Sequence, residues 1–201
     1  GGGSFMSTAA SNWEMVITKQ KGKITLSLRG PETKVSPAPI PEDAEFFGII
    51  FRHGTFMPNL PGSKLVDHEI HLPETVKNSF QLFGETWEFP NSENVDVFIK
   101  RLTRNDLLAH DPVVGDVLRG KTQDLSLRSV QRRFVQVTGL TYKTIQQIER
   151  AKQATALLQS GVPISETTYQ AGYFDQAHLT NSLRRFYGQT PAQIIQSDDS
   201  A

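Results

Sequence analysis

Two segments of the chain carry side chains that could form hydrogen bonds to the edges of nucleic-acid bases. Apolar residues recur in each segment at helical spacing, which predicts a buried face and an opposite polar face. The polar face of the first segment, which follows Ser126, offers Arg128 and Arg132 with Gln131 beside them. That of the second, which follows Asp175, offers Ala177, Asn181 and Arg184, flanked by Thr180 and Arg185. Arginine, glutamine and asparagine pair bidentately with guanine or adenine in the major groove, so both faces are candidates for base recognition.

The two segments are copies of one pattern, displaced by 49 residues. The offset relates the expected N-caps, the closing glycines and the apolar positions of the two helices. The matched pairs are Ser126 and Asp175, Val130 and Leu179, Phe134 and Leu183, Gly139 and Gly188, Thr141 and Thr190, and Ile145 and Ile194. On composition alone, ordinary solvated helix surfaces would explain the polar residues equally well. The repeat favours a shared function over that interpretation.

Basic charge is concentrated around these segments, although the 201-residue chain has a formal net charge of zero. Residues 119–190 contain ten Lys or Arg and four acidic residues, a net charge of +6. Residues 1–109 contain eleven basic and thirteen acidic residues, a net charge of −2. Because lysine and arginine attract phosphate, we expect the C-terminal half to be the part that meets a polyanion.

Capping residues and glycines predict the helices that position the two polar faces. Asp111-Pro112 opens a short helix to about residue 119, and the helix capped by Ser126 runs to about residue 138. A longer helix covers residues 143–159, and a short one covers residues 163–170. The helix capped by Asp175 ends near residue 187. The long helix would measure roughly 25 Å and could connect two helices in successive major grooves, about 34 Å apart.

The first half of the sequence is predicted to be β-rich. Strands are expected at Trp13–Gln20 and Lys23–Gly30, joined as a hairpin, and at 46–54 and 65–73. The proline-rich residues 37–41 are expected to form an exposed loop. A connecting helix capped by Ser92 is expected within residues 91–109.

These elements predict an α+β fold with two domains. Residues 1–12 are expected to be a cloning scar (GGGSF, ahead of Met6) and a loose terminus. Residues 13–90 would form a regulatory or dimerisation domain, and residues 110–195 an all-α domain with two helical units joined by the long helix. Residues 196–201 would be a tail.

Several function classes are disfavoured by composition. The chain has no cysteine, which excludes disulfides, thiolate metal sites and cysteine nucleophiles. It has neither an apolar run long enough to span a bilayer nor a signal-peptide pattern, so we expect a cytoplasmic protein. His68 and His71 would lie on opposite faces of a strand, so we expect solvated histidines and no metal or cofactor. The aromatic residues of the first half could line an effector pocket or form a core, and both interpretations stay open.

The segment "LSLRSVQRRFVQVTGLTYKTIQQIERAKQATALL" and the later "AGYFDQAHLTNSLRRFYGQTP" resemble the DNA-binding domain of AraC/XylS-family transcriptional regulators. The resemblance covers roughly Leu125–Ile194. It implies two helix-turn-helix units whose recognition helices read adjacent major grooves of double-stranded DNA. Carried over by position, the base-reading residues are Arg128, Gln131, Arg132, Gln176, Ala177, Thr180 and Asn181, with Arg185 better placed for a phosphate. The implied function is a sequence-specific transcriptional regulator and not an enzyme.

The first half resembles the sensor region of some members more weakly, through "GIIFRHGTFMP" and "LFGETW". This implies a reduced cupin-like barrel or sandwich. The partners implied besides DNA are a small-molecule effector, a second copy of the chain and RNA polymerase. The alternative is a cupin-like effector-binding or metal-binding protein whose helical half mediates protein association.

Two departures from the family pattern concern the helices that support the recognition helices. Thr167-Thr168 stands where the family usually has Ile-Ala. Only "KTQD" separates the short helix that ends near Arg119 from the segment "LSLRS", where a full helix normally sits. Either the helix that begins at Pro112 takes that role, or the first unit is incomplete.

Overall fold

The computed structural model describes residues 3–198, in which strands precede most of the helices. The strands are β1 (Gly3–Ser7), β2 (Glu14–Gln20), β3 (Lys23–Arg29), β4 (Ser36–Ile40), β5 (Ala44–Ile50), β6 (Thr55–Phe56), β7 (Glu69–Pro73), β8 (Ser79–Leu82), β9 (Glu85–Glu88) and β10 (Ala109–His110). The helices are α1 (Val95–Arg104), α2 (Pro112–Leu118), α3 (Leu127–Thr138), α4 (Tyr142–Gln159), α5 (Ile164–Gln170), α6 (Gln176–Tyr187) and α7 (Pro191–Asp198), with a 3₁₀ turn at Gly62–Lys64. The predicted α+β architecture is confirmed.

The largest sheet is antiparallel, with four strands in the order β5-β2-β3-β7. β2 and β3 form the predicted hairpin, in which Gln20 faces Lys23. Lys21 and Gly22 both have positive φ, as the twist-compatible type I′ turn requires. β5 and β7 are the edges and do not pair with each other, so among the described strands this sheet is open and does not close into a barrel.

One apolar core lies between this sheet and the elements that follow it. Alternation along the strands places Met15, Leu26 and Leu28 on one face of the sheet, and all three are fully buried. They belong to the same cluster as Trp87 of β9 and Leu102 of α1. The sheet, the β8–β9 hairpin and α1 are therefore held together by hydrophobic burial.

The chain divides into two compact units that do not follow the order of the sequence. The first consists mainly of Asn12–Pro31 and Ile40–Tyr142, so it contains the sheet and α1–α3. The second consists mainly of Ser4–Ser11, Glu32–Pro39 and the chain from Lys143, so it contains α4–α7 and most of β1 and β4. The domain boundaries expected from the sequence stay a prediction.

Two segments differ from the sequence-based expectation. The expected loose terminus contains a strand, β1, and the expected loop at 37–41 overlaps another, β4, which pairs with β1. A strand tolerates Pro37 and Pro39 because residues two apart direct their backbone nitrogens to the same edge, which leaves the other edge free to pair. Both prolines therefore fit the outer edge of a two-stranded pair.

The connecting helix begins later than predicted. Ser92 is not its cap; α1 starts after Asn94, whose side chain makes no capping hydrogen bond to the helix. The side chain of Asn91 instead accepts hydrogen bonds from the backbone N–H groups of Glu93 and Asn94. This turn occupies the residues that precede the first helical turn.

Candidate nucleic-acid interface

Helices α3 and α6 have the same length and the same ends, related by the 49-residue offset. Ser126 Oγ accepts a hydrogen bond from the Ser129 N–H at 3.2 Å, and Asp175 Oδ1 accepts one from the His178 N–H at 2.7 Å. These side-chain caps satisfy amide groups that the first helical turn leaves unpaired. The structure thus confirms both predicted caps.

The C-terminal ends of α3 and α6 also match. Gly139 has φ 77° and Gly188 has φ 73°, the left-handed conformation in which a residue with a Cβ is strained. Their N–H groups donate to the carbonyls of Val135 and Arg184, which are again 49 residues apart. The repeat therefore extends from sequence to backbone hydrogen bonding.

Helix α2 supports α3 in the first compact unit. Val114 of α2 and Phe134 of α3 are both fully buried, and the two helices pack together. Asp111, the N-cap of α2, accepts hydrogen bonds from the Val113 N–H at 2.9 Å and from Arg133 Nη1 at 2.6 Å. Since α2 and α5 each have seven residues, the first unit has a supporting helix as long as that of the second.

The C-terminal end of α3 is packed against the β-rich part of the same compact unit. Helix α3 contacts the 3₁₀ turn Gly62–Lys64 and strand β6. The approach is close enough that a Cβ added to Gly139 would lie 2.6 Å from the Gly62 carbonyl oxygen. A displacement of this turn would therefore act directly on the end of α3.

Helix α5 supports α6 in the second compact unit. Leu179, Leu183 and Phe186 form the buried face of α6. Thr167 and Thr168 of α5 are also buried, and their hydroxyl groups donate to the carbonyls of Val162 and Ile164. The two threonines thus fit a buried position in this helix because their polar groups are paired.

The turn between α5 and α6 is anchored by Tyr173. Its ring is buried, its hydroxyl lies 2.9 Å from Ser182 Oγ, and the Arg150 guanidinium lies 5.6 Å from its ring centroid. Burial raises the pKa of the Tyr173 phenol, because the charged form would lose its hydration. Burial likewise raises the pKa of Tyr187 at the end of α6.

The residues predicted to read bases lie on the outward surfaces of α3 and α6. Side chains are exposed at Arg128, Gln131, Arg132, Gln176, Ala177, Asn181 and Arg185, whereas Thr180 is half-buried. Among the described residues, the guanidinium groups of Arg128 and Arg132 form no ion pair. The Arg185 guanidinium of α6 lies 5.0 Å from the ring centroid of Phe186. The roles of all these residues in base recognition stay a prediction.

Sequence reasoning overlooked a second group of exposed residues near the same helices. Phe174, Tyr169 and Leu127 are large, apolar or aromatic, and exposed. Leu127 is the first residue of α3, and Phe174 directly precedes the N-cap of α6. The 49-residue offset could have identified part of this group, since it also relates Leu125 to Phe174.

The histidines of the first half lie in local hydrogen-bonding networks. His71 Nδ1 lies 2.8 Å from Ser27 Oγ, and its Nε2 lies 3.2 Å from Glu69 Oε1. His68 Nδ1 lies 2.7 Å from the Val66 carbonyl oxygen. Within residues 3–198, no group of three or more His, Asp or Glu side chains is placed to hold a metal ion.

The aromatic residues considered for an effector pocket are mostly core. Trp13 and Phe51 stack with their centroids 3.9 Å apart and are buried, as is Trp87, while Phe46 and Phe83 are exposed. A cavity beside Trp13 has a volume of about 10 Å³, the space of a single water molecule. None of the described helices combines the length and apolar character needed to cross a bilayer.

Each compact unit thus contains a seven-residue helix packed on a twelve-residue helix with an exposed polar face. Residues 171–175 join α5 to α6 in a helix-turn-helix arrangement, whereas the longer segment 119–126 joins α2 to α3, so the completeness of the first unit stays a prediction. Residues 121–197 match a family model described as a helix-turn-helix domain. A 70-residue stretch, 35% of the chain, is 34% identical to the HTH-type transcriptional regulator VirS of Mycobacterium tuberculosis, in strains CDC 1551 / Oshkosh and ATCC 25618 / H37Rv. The match spans about a fifth of the length of these relatives, 21%.

Both matches lie in the C-terminal half and support the predicted resemblance of this segment to AraC-type helix-turn-helix regulators. The matched range begins after α2 and contains α3 to α6.

Proposed function

We propose that this protein is a sequence-specific transcriptional regulator that binds double-stranded DNA through two recognition helices, α3 and α6. The observation that carries the proposal is the repeated pairing of a seven-residue helix with a twelve-residue helix, in which both twelve-residue helices expose arginine, glutamine or asparagine side chains. The net charge of +6 over residues 119–190 supports it, since phosphate contacts supply most of the affinity for DNA.

In this proposal two kinds of contact have separate tasks. Phosphate contacts fix the position of the protein on the duplex, and Arg185 is assigned to this group. Base contacts specify the sequence, from Arg128, Gln131 and Arg132 on α3 and from Gln176, Ala177, Thr180 and Asn181 on α6. No covalent chemistry is required of any of these residues, so the proposed protein is not an enzyme.

The β-rich part is proposed to regulate the first recognition helix. Its 3₁₀ turn Gly62–Lys64 contacts α3, so a rearrangement of the sheet or its loops has a direct route to that helix. A small-molecule effector or pairing with a second copy of the chain would supply such a rearrangement. RNA polymerase is the further partner that a transcriptional regulator requires.

Selection of bound sequences from a pool of random DNA duplexes, using the full chain, tests the proposal. We expect a defined site with two half-sites about one helical turn apart. We also expect the logarithm of the binding constant to fall linearly with the logarithm of salt concentration. Failure to enrich any sequence, or affinity that is insensitive to salt, would contradict the proposed function.

A further inference from the structure

Exposed apolar side chains lie at the start of both candidate recognition helices. Phe174, which precedes the α6 N-cap, is 90% exposed, and Leu127, the first residue of α3, is 82% exposed. Leu125, which precedes the α3 N-cap, is 40% exposed, and the small side chain of Ala177 on α6 is exposed as well. Isolated exposed hydrophobic residues are ordinary on protein surfaces, but these lie beside the polar groups assigned to base recognition.

The repeat makes this placement systematic. Leu125 and Phe174 are 49 residues apart, and each directly precedes a residue whose side chain caps a recognition helix. A hydrophobic residue at that position often packs back onto the first turns of its helix. Phe174 does not do so, because 90% of it remains exposed. Its side chain is therefore available to contact a partner of α6.

The backbone on both sides of Phe174 is fixed. Tyr173 is buried and its N–H donates to the Thr168 carbonyl at 2.9 Å, while Asp175 caps α6 through the His178 N–H. Because the backbone is already ordered, binding at Phe174 would cost only the rotamer freedom of this side chain, which favours a specific contact.

The chemistry of the major groove offers one apolar feature to such side chains. A recognition helix contacts base edges with its N-terminal residues, and the C5-methyl group of thymine is the hydrocarbon group exposed there. Phenylalanine and alanine are known to contact that methyl group, and leucine has the same apolar character. Guanine, adenine and cytosine present hydrogen-bonding groups at their edges instead.

We propose that the N-terminal ends of both recognition helices read thymine C5-methyl groups, through Leu125 and Leu127 at α3 and through Phe174 and Ala177 at α6. This inference rests on the proposed function and specifies part of its site: each half-site contains a thymine beneath the start of its helix. The polar residues further along each helix read the bases that follow.

Replacing single thymines by uracil in the selected duplex tests the proposal, because the two bases differ only in the methyl group. With the full chain, we expect each substitution under a helix start to weaken binding roughly fourfold, the effect of one buried methyl-sized group. Phe174→Ser, which leaves Ala177 in place, should reduce the effect in one half-site and keep it unchanged in the other. Leu127→Ser should do the reverse.

The control is Tyr169→Ser, which removes an aromatic side chain of similar exposure from α5. This variant should keep the uracil effect in both half-sites. Equal binding of thymine and uracil duplexes, unchanged methyl sensitivity in Phe174→Ser, or a selected site without thymine at these positions would overturn the inference. If salt-dependent binding of the selected site persists in those cases, the proposed function stands; if no duplex is bound, both fail.

Discussion

At the scale of single residues, the outward arginines of α3 differ in what surrounds them. Arg133 is paired with Asp111, the cap of α2, whereas Arg132 next to it is exposed and forms no ion pair among the described residues. Neighbouring residues of the same type thus serve two purposes. Arg133 joins two helices within the unit, and Arg132 is available to a ligand.

Replacing Arg132 by alanine should therefore reduce specificity without reducing stability. We expect a loss of about 1–3 kcal/mol in binding free energy and a relaxed preference at one base pair, because a bidentate contact is removed. Competition binding against a set of single-base variants of the selected site measures both effects. Arg133→Ala is the matched comparison and should lower the denaturation midpoint as well. Unchanged discrimination in Arg132→Ala would exclude base reading by this residue.

Tyr173 gives the second compact unit a dependence on alkaline pH. Burial raises the pKa of its phenol, so the folded state favours the neutral form. The stability that this provides is fully present below the unfolded pKa of about 10 and is lost as the pH rises through the higher folded value. Tyr187, whose pKa is also raised by burial, acts in the same direction.

Tyr173→Phe should accordingly be less stable than the parent near neutral pH, by about 1 kcal/mol, because the Ser182 hydrogen bond is lost. The difference should shrink as the pH rises above about 10, since only the parent then ionises this phenol. Thermal denaturation at a series of pH values measures the difference, with Tyr169→Phe as an exposed control. A gap that stays constant across the alkaline range would contradict the assignment.

At the scale of elements, the ends of the helices are predictable from sequence because the signals that end them are local. Asp111, Ser126 and Asp175 cap the helices that they were expected to cap, and Gly139 and Gly188 end them. The β1–β4 pair and the delayed start of α1 were missed. The pairing of β1 with β4 depends on residues far apart in sequence, and the local signal of Pro37 and Pro39 predicts a loop.

In the candidate site, too, features set by local sequence were predictable, and contacts between different helices were not. Helical periodicity and the family resemblance together predicted eight side chains, of which seven are exposed and Thr180 is half-buried. The periodicity could not show that Arg133 faces Asp111, because that contact joins different helices. Nor did a search for polar residues draw attention to Phe174, which is 90% exposed beside the buried Tyr173.

The two glycines that end α3 and α6 are not equally replaceable. A Cβ at Gly139 would lie 2.5 Å from Val66 Cγ2, whereas at Gly188 the nearest atom, Val35 Cγ2, is 3.3 Å away. Gly161 also has positive φ, but a Cβ there meets no atom within 4 Å. Substitution of Gly161 therefore tests backbone strain alone, whereas substitution of Gly139 tests backbone strain together with steric overlap.

Gly161→Ala should cost about 1–2 kcal/mol of folding free energy, the strain of a left-handed residue with a Cβ. Gly139→Ala should cost roughly 1–3 kcal/mol more, because neighbouring atoms must move to relieve the overlap. Urea denaturation compares the two variants, provided that the slope of the transition is unchanged. Equal losses would mean that the first unit adjusts around Gly139 without cost.

At the scale of the whole molecule, the zero net charge is the sum of segments with opposite net charges. The positive charge lies in residues 119–190, and the acidic excess lies in the β-rich first half. Such a distribution gives residues 119–190 a local attraction for anions while the whole chain carries no net charge.

The salt dependence of DNA binding should report this local charge and not the net charge. Arg185→Gln should reduce the slope of log binding constant against log salt by about 0.9, the value for one phosphate contact, and leave the sequence preference unchanged. Binding titrations from about 50 to 200 mM salt are sufficient. Lys23→Gln, on the sheet far from the basic segment in sequence, is the charge-matched control and should leave the slope as it is. A similar decrease in both variants would contradict a localised contact.

The second compact unit combines segments that are far apart in sequence, which affects the order in which its contacts can form during synthesis. The Ala9 N–H donates to the Phe186 carbonyl at 2.8 Å, and the Val35 N–H donates to the Arg185 carbonyl at 3.0 Å. During synthesis the partners of these early residues emerge after residue 142, whereas the segments of the first unit are all available once residue 142 has left the ribosome. The segments that contact α3 are therefore complete before α6, which pairs with Ala9 and Val35, has been synthesised. Ala9 and Val35 are thus synthesised before most of the first unit but gain these hydrogen bonds only after its segments are available.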